Sequence, residues 1–152
     1  MKPRIYTDTS VLGGCGDDEF REPSLRLVQA FEDGELTLVL SELTLRELET
    51  APEGVRMVLG RVPAALVESL FLSPEAEDLA AAYIEDGAIG ERMRADALHI
   101  ALATVARVDV LVSWNFKHIV NLKRIHAYNA VNLKRGYPLL EIRTPREVVG
   151  DE

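Results

Sequence analysis

Cysteine is almost absent from this chain. Cys15 stands alone among 152 residues, so no intramolecular disulfide can form, and its Gly13-Gly14-Cys15-Gly16 setting offers neither a second thiol nor a paired histidine for a zinc site. A reducing compartment fits that pattern. Long apolar runs are missing too. No stretch approaches the roughly 20 residues needed to cross a bilayer, and the strand-like Arg4-Ile5-Tyr6 stands where a secretory leader would need a longer apolar segment. These absences predict a soluble, cytoplasmic protein. Internal repeats, low-complexity tracts and linker-like segments are also lacking, so residues 1–152 read as one domain. A chain of this length buries roughly two-thirds of its unfolded surface, and its 47% apolar residues supply the core.

Positive charge is scarce overall, giving a net of −8, but it is not scarce everywhere. Residues 1–100 carry 9 basic and 20 acidic side chains, whereas residues 101–152 carry 8 and 5. From Lys117 to Arg135 there are five basic residues, two histidines and no acid. Taken alone this reads as a solvated basic face. It also provides local attraction for phosphate on an otherwise acidic molecule.

What the chain has in quantity is alternating strand and helix signals. Arg4 to Thr7 reads as a first strand, Pro23 to Asp33 as a helix closed by Gly34, and Leu36 to Leu40 as a second strand whose continuous apolar run predicts burial on both faces. Ser41 caps a helix through Thr50, Pro52 starts a short one, and Leu70-Phe71-Leu72 reads as a third strand. Ser73-Pro74-Glu75 combines a cap, a first-turn proline and an acid for a helix to about Ile84. Helices over Arg92 to Arg107 and Asn121 to Tyr128, strands at Val110 to Ser113 and Leu139 to Ile142, and a terminal helix capped by Thr144 complete an α/β pattern with a mostly parallel sheet.

Four polar residues fall where such a fold gathers ligands. Asp8 follows the first strand and Asn115 closely follows the Val110 strand, the carboxyl ends beyond which open α/β sheets bind. Either alone reads equally as a turn residue. At about 100° per residue, Glu47 shares an arc with Leu43, Thr44, Leu48 and Ala51, opposite Glu42, Arg46, Glu49 and Thr50, and so points inward. An inward carboxylate requires a cation or strong donors, an arginine partner being the alternative to a metal. Asp96 opens a helix that is apolar almost all round, where the alternative is a simple interaction with the helix N-terminus. His99, one turn on, reads as a satisfied core histidine outside the site.

Four blocks carry a resemblance. The opening Asp8-Thr9-Ser10, the segment Ser41 to Leu48, the run Asp96-Ala97-Leu98-His99-Ile100-Ala101-Leu102-Ala103, and Leu111-Val112-Ser113-Trp114-Asn115-Phe116 resemble, in order and spacing, the signature blocks of the PIN-domain ribonuclease family, which includes VapC-like toxins of toxin–antitoxin pairs. The resemblance covers nearly the whole chain. It implies a five-stranded parallel sheet with helices on both sides, a Mg²⁺- or Mn²⁺-dependent endoribonuclease, frequent homodimers and often a small antitoxin partner. Asp8, Glu47 and Asp96 match the family's core acidic positions. Asn115 matches a fourth that is often aspartate, and the amide removes one charge from a second metal site. Ser10 and Ser113 are expected to support the site, and Trp114 to be packed rather than to stack on a ligand.

Hard cations prefer such oxygen donors. The resulting expectation is hydrolysis of RNA, leaving 5′-phosphate and 3′-hydroxyl ends, with Lys117, Lys123 and Arg124 on the substrate path. Two other classes remain open. An aspartyl-phosphate phosphatase of the dehalogenase type also places an aspartate after its first strand, but it needs a second acid where this chain has Ser10. A catalytically weakened RNA- or protein-binding module of the same fold is favoured by Asn115.

Overall fold

The apolar strands do what their sequence demands and line up in the interior, β1 and β2 buried on both faces. The computed structural model describes residues 2–150. Its strands are β1 (Arg4–Thr7), β2 (Thr37–Ser41), β3 (Val67–Leu70), β4 (Val110–Val112) and β5 (Ile142–Arg143), all parallel, in the order β3-β2-β1-β4-β5. The helices are α1 (Thr9–Gly14), α2 (Arg21–Glu32), α3 (Glu42–Glu49), α4 (Glu53–Gly60), α5 (Pro74–Glu85), α6 (Arg94–Val105), α7 (Leu122–Lys134) and α8 (Pro145–Val149), with single 3₁₀ turns at Ala64–Leu66 and Glu91–Met93.

Strand alternation sorts the core into two halves. Tyr6, Val39 and Leu111 face α5, α6 and α7, packing with Leu79, Tyr83, Ile100 and Tyr128. Ile5, Leu38 and Val112 face the other way, against Val11 of α1 and Leu27, Val28 and Phe31 of α2. Among the described residues no helix is long and apolar enough to cross a membrane. The chain builds β1, β2 and β3 outward to one edge, then returns to place β4 on the far side of β1. A crevice therefore opens where the carboxyl ends of β1 and β4 diverge.

The capping signals read from sequence are present. Ser41 accepts from the Thr44 N–H, Ser73 from that of Ala76, and Thr144 forms a reciprocal pair with Glu147. Other boundaries moved, each for a local reason. β3 lies at Val67–Leu70 and not at Leu70–Leu72, because the Leu72 N–H is taken by the Glu42 carboxylate at 2.5 Å while Phe71 turns to solvent. The helix expected from Arg92 starts as a 3₁₀ turn and becomes α-helical at Arg94. α7 runs past Tyr128 to Lys134 because Val131 and Asn132 are buried, Asn132 accepting from the Tyr83 hydroxyl. The last strand falls at Ile142–Arg143, with Leu139 exposed.

α1 was not foreseen, since Gly13-Gly14 reads as flexible. Burial of Val11 and Leu12 drives the turn, and Gly14 lets it approach its neighbours: a Cβ there would lie 2.7 Å from both Ser24 Oγ and Trp114 Nε1. Cys15 follows inside the same core, its thiol kept protonated by burial. Gly14→Ala is expected to cost about 1–3 kcal/mol by overpacking, lowering Tm by roughly 2–10 °C. Gly13→Ala, with open space around it, should be neutral or gain up to about 1 kcal/mol. Equal Tm values for the two variants would show that the close approach carries no cost.

Candidate active site

Asp8 sits where a helix cap would, just before α1, yet its side chain makes no capping bond. It is only 5% exposed and is held by two hydroxyls: Ser10 Oγ–H donates to one carboxylate oxygen at 2.6 Å and Ser113 Oγ–H to the other at 2.7 Å. Each hydroxyl in turn accepts a backbone N–H just after β4, Ser10 from Trp114 and Ser113 from Asn115, both at 2.9 Å. Accepting from the backbone leaves each O–H free to point at the carboxylate. The two serines thus tie the ends of β1 and β4 together through Asp8. Burial still pushes the Asp8 carboxyl above its ordinary range, and Glu47 adds to this, against the opposing pull of His99 and the two serines.

Glu47 comes from the inward arc of α3, with 35% of its side chain exposed. One carboxylate oxygen accepts from Thr9 Oγ1 at 2.5 Å and from His99 Nε2 at 2.9 Å. Burial raises its pKa, but the His99 and Thr9 hydrogen bonds and the His99 charge outweigh it, so Glu47 lies below its ordinary value. His99 is 2% exposed, and its Nδ1 meets the Tyr6 hydroxyl at 2.7 Å; Tyr6 in turn meets Ser41 Oγ at 2.7 Å. Burial raises the Tyr6 hydroxyl, so Tyr6 stays protonated. With the Tyr6 O–H turned to Nδ1, the ring presents Nε2–H to Glu47. His99 therefore belongs to the site and not to an inert core, contrary to the reading from sequence. Its position three residues after Asp96 on α6, one face of one helix, is the signal that could have found it.

Asp96 lies in the first turn of α6. Burial raises its pKa, Asp8 and Glu47 raise it further, and His99 and His118 draw it back. Asn115 Nδ2–H donates to its carboxylate at 3.3 Å, while Asn115 Oδ1 accepts from the His118 backbone N–H at 2.9 Å. Asn115 therefore turns a donor toward the acids. His118, which sequence reasoning counted only within the basic stretch, borders the site. Its Nδ1 is buried without a partner among the described residues.

Asp8, Ser10, Asp96, Ser113 and Asn115 are thus joined by hydrogen bonds at the β1–β4 crevice, while Glu47, held separately by Thr9 and His99, reaches Asp8 and Asp96 through its charge. That charge and the all-oxygen donor set suit a hard divalent cation. The side chains, however, are turned to their protein partners: among the described residues no group of three or more His, Cys, Asp or Glu side chains is gathered to hold a metal. A cation would have to draw them together.

The basic residues form a separate feature. Lys117, Lys123 and Arg124 line a cavity of about 450 Å³ with Gly87, Ala88, Asn121 and Ala127 at the start of α7. Arg124 Nη1 donates to the Ala88 carbonyl at 2.8 Å, which fixes the guanidinium in place. Lys134 is paired with Asp86 at 2.5 Å. Trp114 is packed, its ring stacked on Phe20 and its indole N–H bonded to Ser24 at 2.8 Å.

No family model matches the sequence, and no curated protein matches it. Solved structures do share its fold. VapC20 of Mycobacterium tuberculosis, a sarcin–ricin loop cleaving toxin, superposes with a TM-score of 0.57 at 16% identity over 75% of this chain and 92% of its own. VapBC2 of Rickettsia felis, bound to a DNA fragment from its promoter, gives 0.57 at 16% identity over 93% and 98%. FitAcB of Neisseria gonorrhoeae gives 0.53 at 15% identity over 93% and 97%. The α/β fold with a five-stranded parallel sheet is the PIN-like one that the sequence blocks imply.

A carboxyl whose folded pKa is raised binds more protons folded than unfolded. Its ionisation therefore destabilises the protein above that raised value, and the penalty is relieved as pH falls toward the ordinary carboxylate range. In chelator-containing buffer, Asp8→Asn is expected to raise Tm by a few degrees at pH 7, with a smaller gain near pH 5. A Tm difference that stays constant from pH 5 to 8 would show that ionised Asp8 carries no such penalty.

Proposed function

We propose that this chain is a metal-dependent endoribonuclease of PIN type, acting as the toxin of a toxin–antitoxin pair. The observation that carries the reading is that Asp8, just after β1, Glu47 of α3 and Asp96 of α6 share one field although distant in sequence, Glu47 raising the Asp8 carboxyl pKa and both of them raising that of Asp96. The ribonuclease chemistry is supported by likeness of fold to a toxin that cleaves the sarcin–ricin loop, and a toxin-type partner by likeness to VapBC2 and FitAcB. A small antitoxin and a second copy of the chain are the partners this reading assigns.

Asp8, Glu47 and Asp96 would hold Mg²⁺ or Mn²⁺, which would supply Lewis acidity toward water and phosphate when bound. The chain's own residues do the rest. Ser10 and Ser113 hold Asp8 in one orientation, and His99, braced by Tyr6, aims Glu47. Asn115 steadies Asp96 without adding a charge, its oxygen accepting from the His118 backbone N–H. The RNA backbone lies along Lys117, Lys123 and Arg124, leaving 5′-phosphate and 3′-hydroxyl ends at the cut. A second reading, a binding module with weakened chemistry, is favoured by the Asn115 amide and by the ungathered acids.

Purified protein with Mn²⁺ is expected to cut RNA, and Asp8→Asn, Glu47→Gln or Asp96→Asn to lower kcat at least 100-fold with the fold intact. Mn²⁺ should also raise the wild-type Tm more than that of Asp8→Asn, because the folded state alone binds it. Cleavage that survives all three changes removes the acids from catalysis. Separately, charge reversal of Lys123 and Arg124 is expected to weaken RNA binding at every sequence and to flatten its salt dependence. Unchanged titrations at 50 and 200 mM salt would take the cavity off the substrate path.

A further inference from the structure

Phe116 is an aromatic ring that the core does not use. It is 50% exposed and belongs to neither half of the core. Yet it is braced: its centroid lies 6.1 Å from those of both Trp114 and Phe20, tilted 51° and 44°, and those two rings stack on each other at 4.2 Å. Trp114 cannot swing away. Its indole N–H is bonded to Ser24, its backbone N–H is bonded to the Ser10 hydroxyl that also holds Asp8, and Gly14 closes against its ring. The solvent-facing ring is thereby fixed relative to the acids. In sequence it stands between Asn115, which touches Asp96, and Lys117, which lines the basic cavity.

A braced, half-exposed ring whose chain neighbours are a residue bonded to a site acid and a lysine of the cationic cavity fits a ligand that carries both an aromatic face and adjacent negative charge. Each nucleotide of an RNA strand has both, and bases stack on such rings independently of sequence. We propose that Phe116 is the stacking platform for the nucleobase next to the cleaved phosphate, with a neighbouring phosphate in the Lys117–Lys123–Arg124 cavity. This rests on the nuclease reading above and adds to it a positioning residue that acts on the base and not on the phosphate. A base must be unpaired to present its face, so the platform selects for an unstacked nucleotide at that position.

The test uses the full-length chain carrying Asp8→Asn, which blocks cleavage, and a nine-nucleotide single-stranded RNA containing one 2-aminopurine. Binding is expected to quench the probe. Adding Phe116→Ala should abolish the quench and weaken binding roughly ten-fold, and Phe116→Trp should retain both. Phe71→Ala, which removes the exposed aromatic beside the β3 edge, should behave as the parent. Annealing the probe to its complement should erase the difference between parent and Phe116→Ala. Tm is expected to be unchanged, since the ring is outside the core. Equal affinity and quench in parent and Phe116→Ala would overturn the platform, as would a loss equal for single-stranded and duplex RNA. A change of oligomeric state in Phe116→Ala on size-exclusion chromatography would assign the ring to a subunit contact and overturn it too. Wild-type cleavage with Mn²⁺ separates the two readings. If it is present and insensitive to Phe116→Ala in KM, only the platform falls; if the wild type neither binds nor cuts RNA, both do.

Discussion

A carboxylate removed from water has to be compensated where it stands, and the centre of this molecule is organised around that requirement at Asp8. The residue directly continues the central strand, so it cannot be displaced without pulling β1 out of register with both neighbours. Two hydroxyls satisfy its oxygens, and both are themselves oriented by backbone N–H groups after β4. The polar network is thus the mechanical link that keeps the β1–β4 crevice at a set width. Replacing one serine with an apolar residue would leave an oxygen unsatisfied inside the protein, which costs more than the bond itself contributes.

The second acid is treated differently. Glu47 keeps some solvent contact and takes its compensation from His99, so α3 and α6 are joined by a hydrogen bond, and by an ion pair where the imidazole is protonated. Asp96 has the weakest internal support, a single amide contact, together with an unfavourable field from the other two acids. The three carboxylates are therefore graded: one fixed, one paired, one strained.

Much of this was legible in the residues. Asp8 and Asn115 could be placed because strand ends and the α/β pattern follow from apolar runs, and Glu47 because a helix has a fixed angular period. The capping residues Ser41, Ser73 and Thr144 located helix starts closely, since a cap is a local interaction. What escaped was tertiary. The α1 turn depends on Gly14 fitting against Trp114, one hundred residues away in sequence. β3 was set by which residues of β2 needed a partner and not by the run Leu70-Phe71-Leu72. His99 looked like core because it is core by burial; only its neighbour across the helix interface, Glu47, shows its other use. The turning of the Asn115 amide depends on a backbone N–H that no residue pattern announces.

The bond between Asp8 and Ser113 spans 105 positions of chain, and the strand that Ser113 follows is the fourth of five to be made. A ribosome that has released the first hundred residues has exported Asp8, Glu47 and Asp96 together with Thr9, Ser10 and His99, but not the Ser113 hydroxyl and the Asn115 amide that complete their hydrogen bonds. The unfinished polypeptide lacks the β4 wall of the crevice, and such long-range pairing is slow to form. The β1–β4 crevice is thus completed only once the final third of the protein has joined the rest.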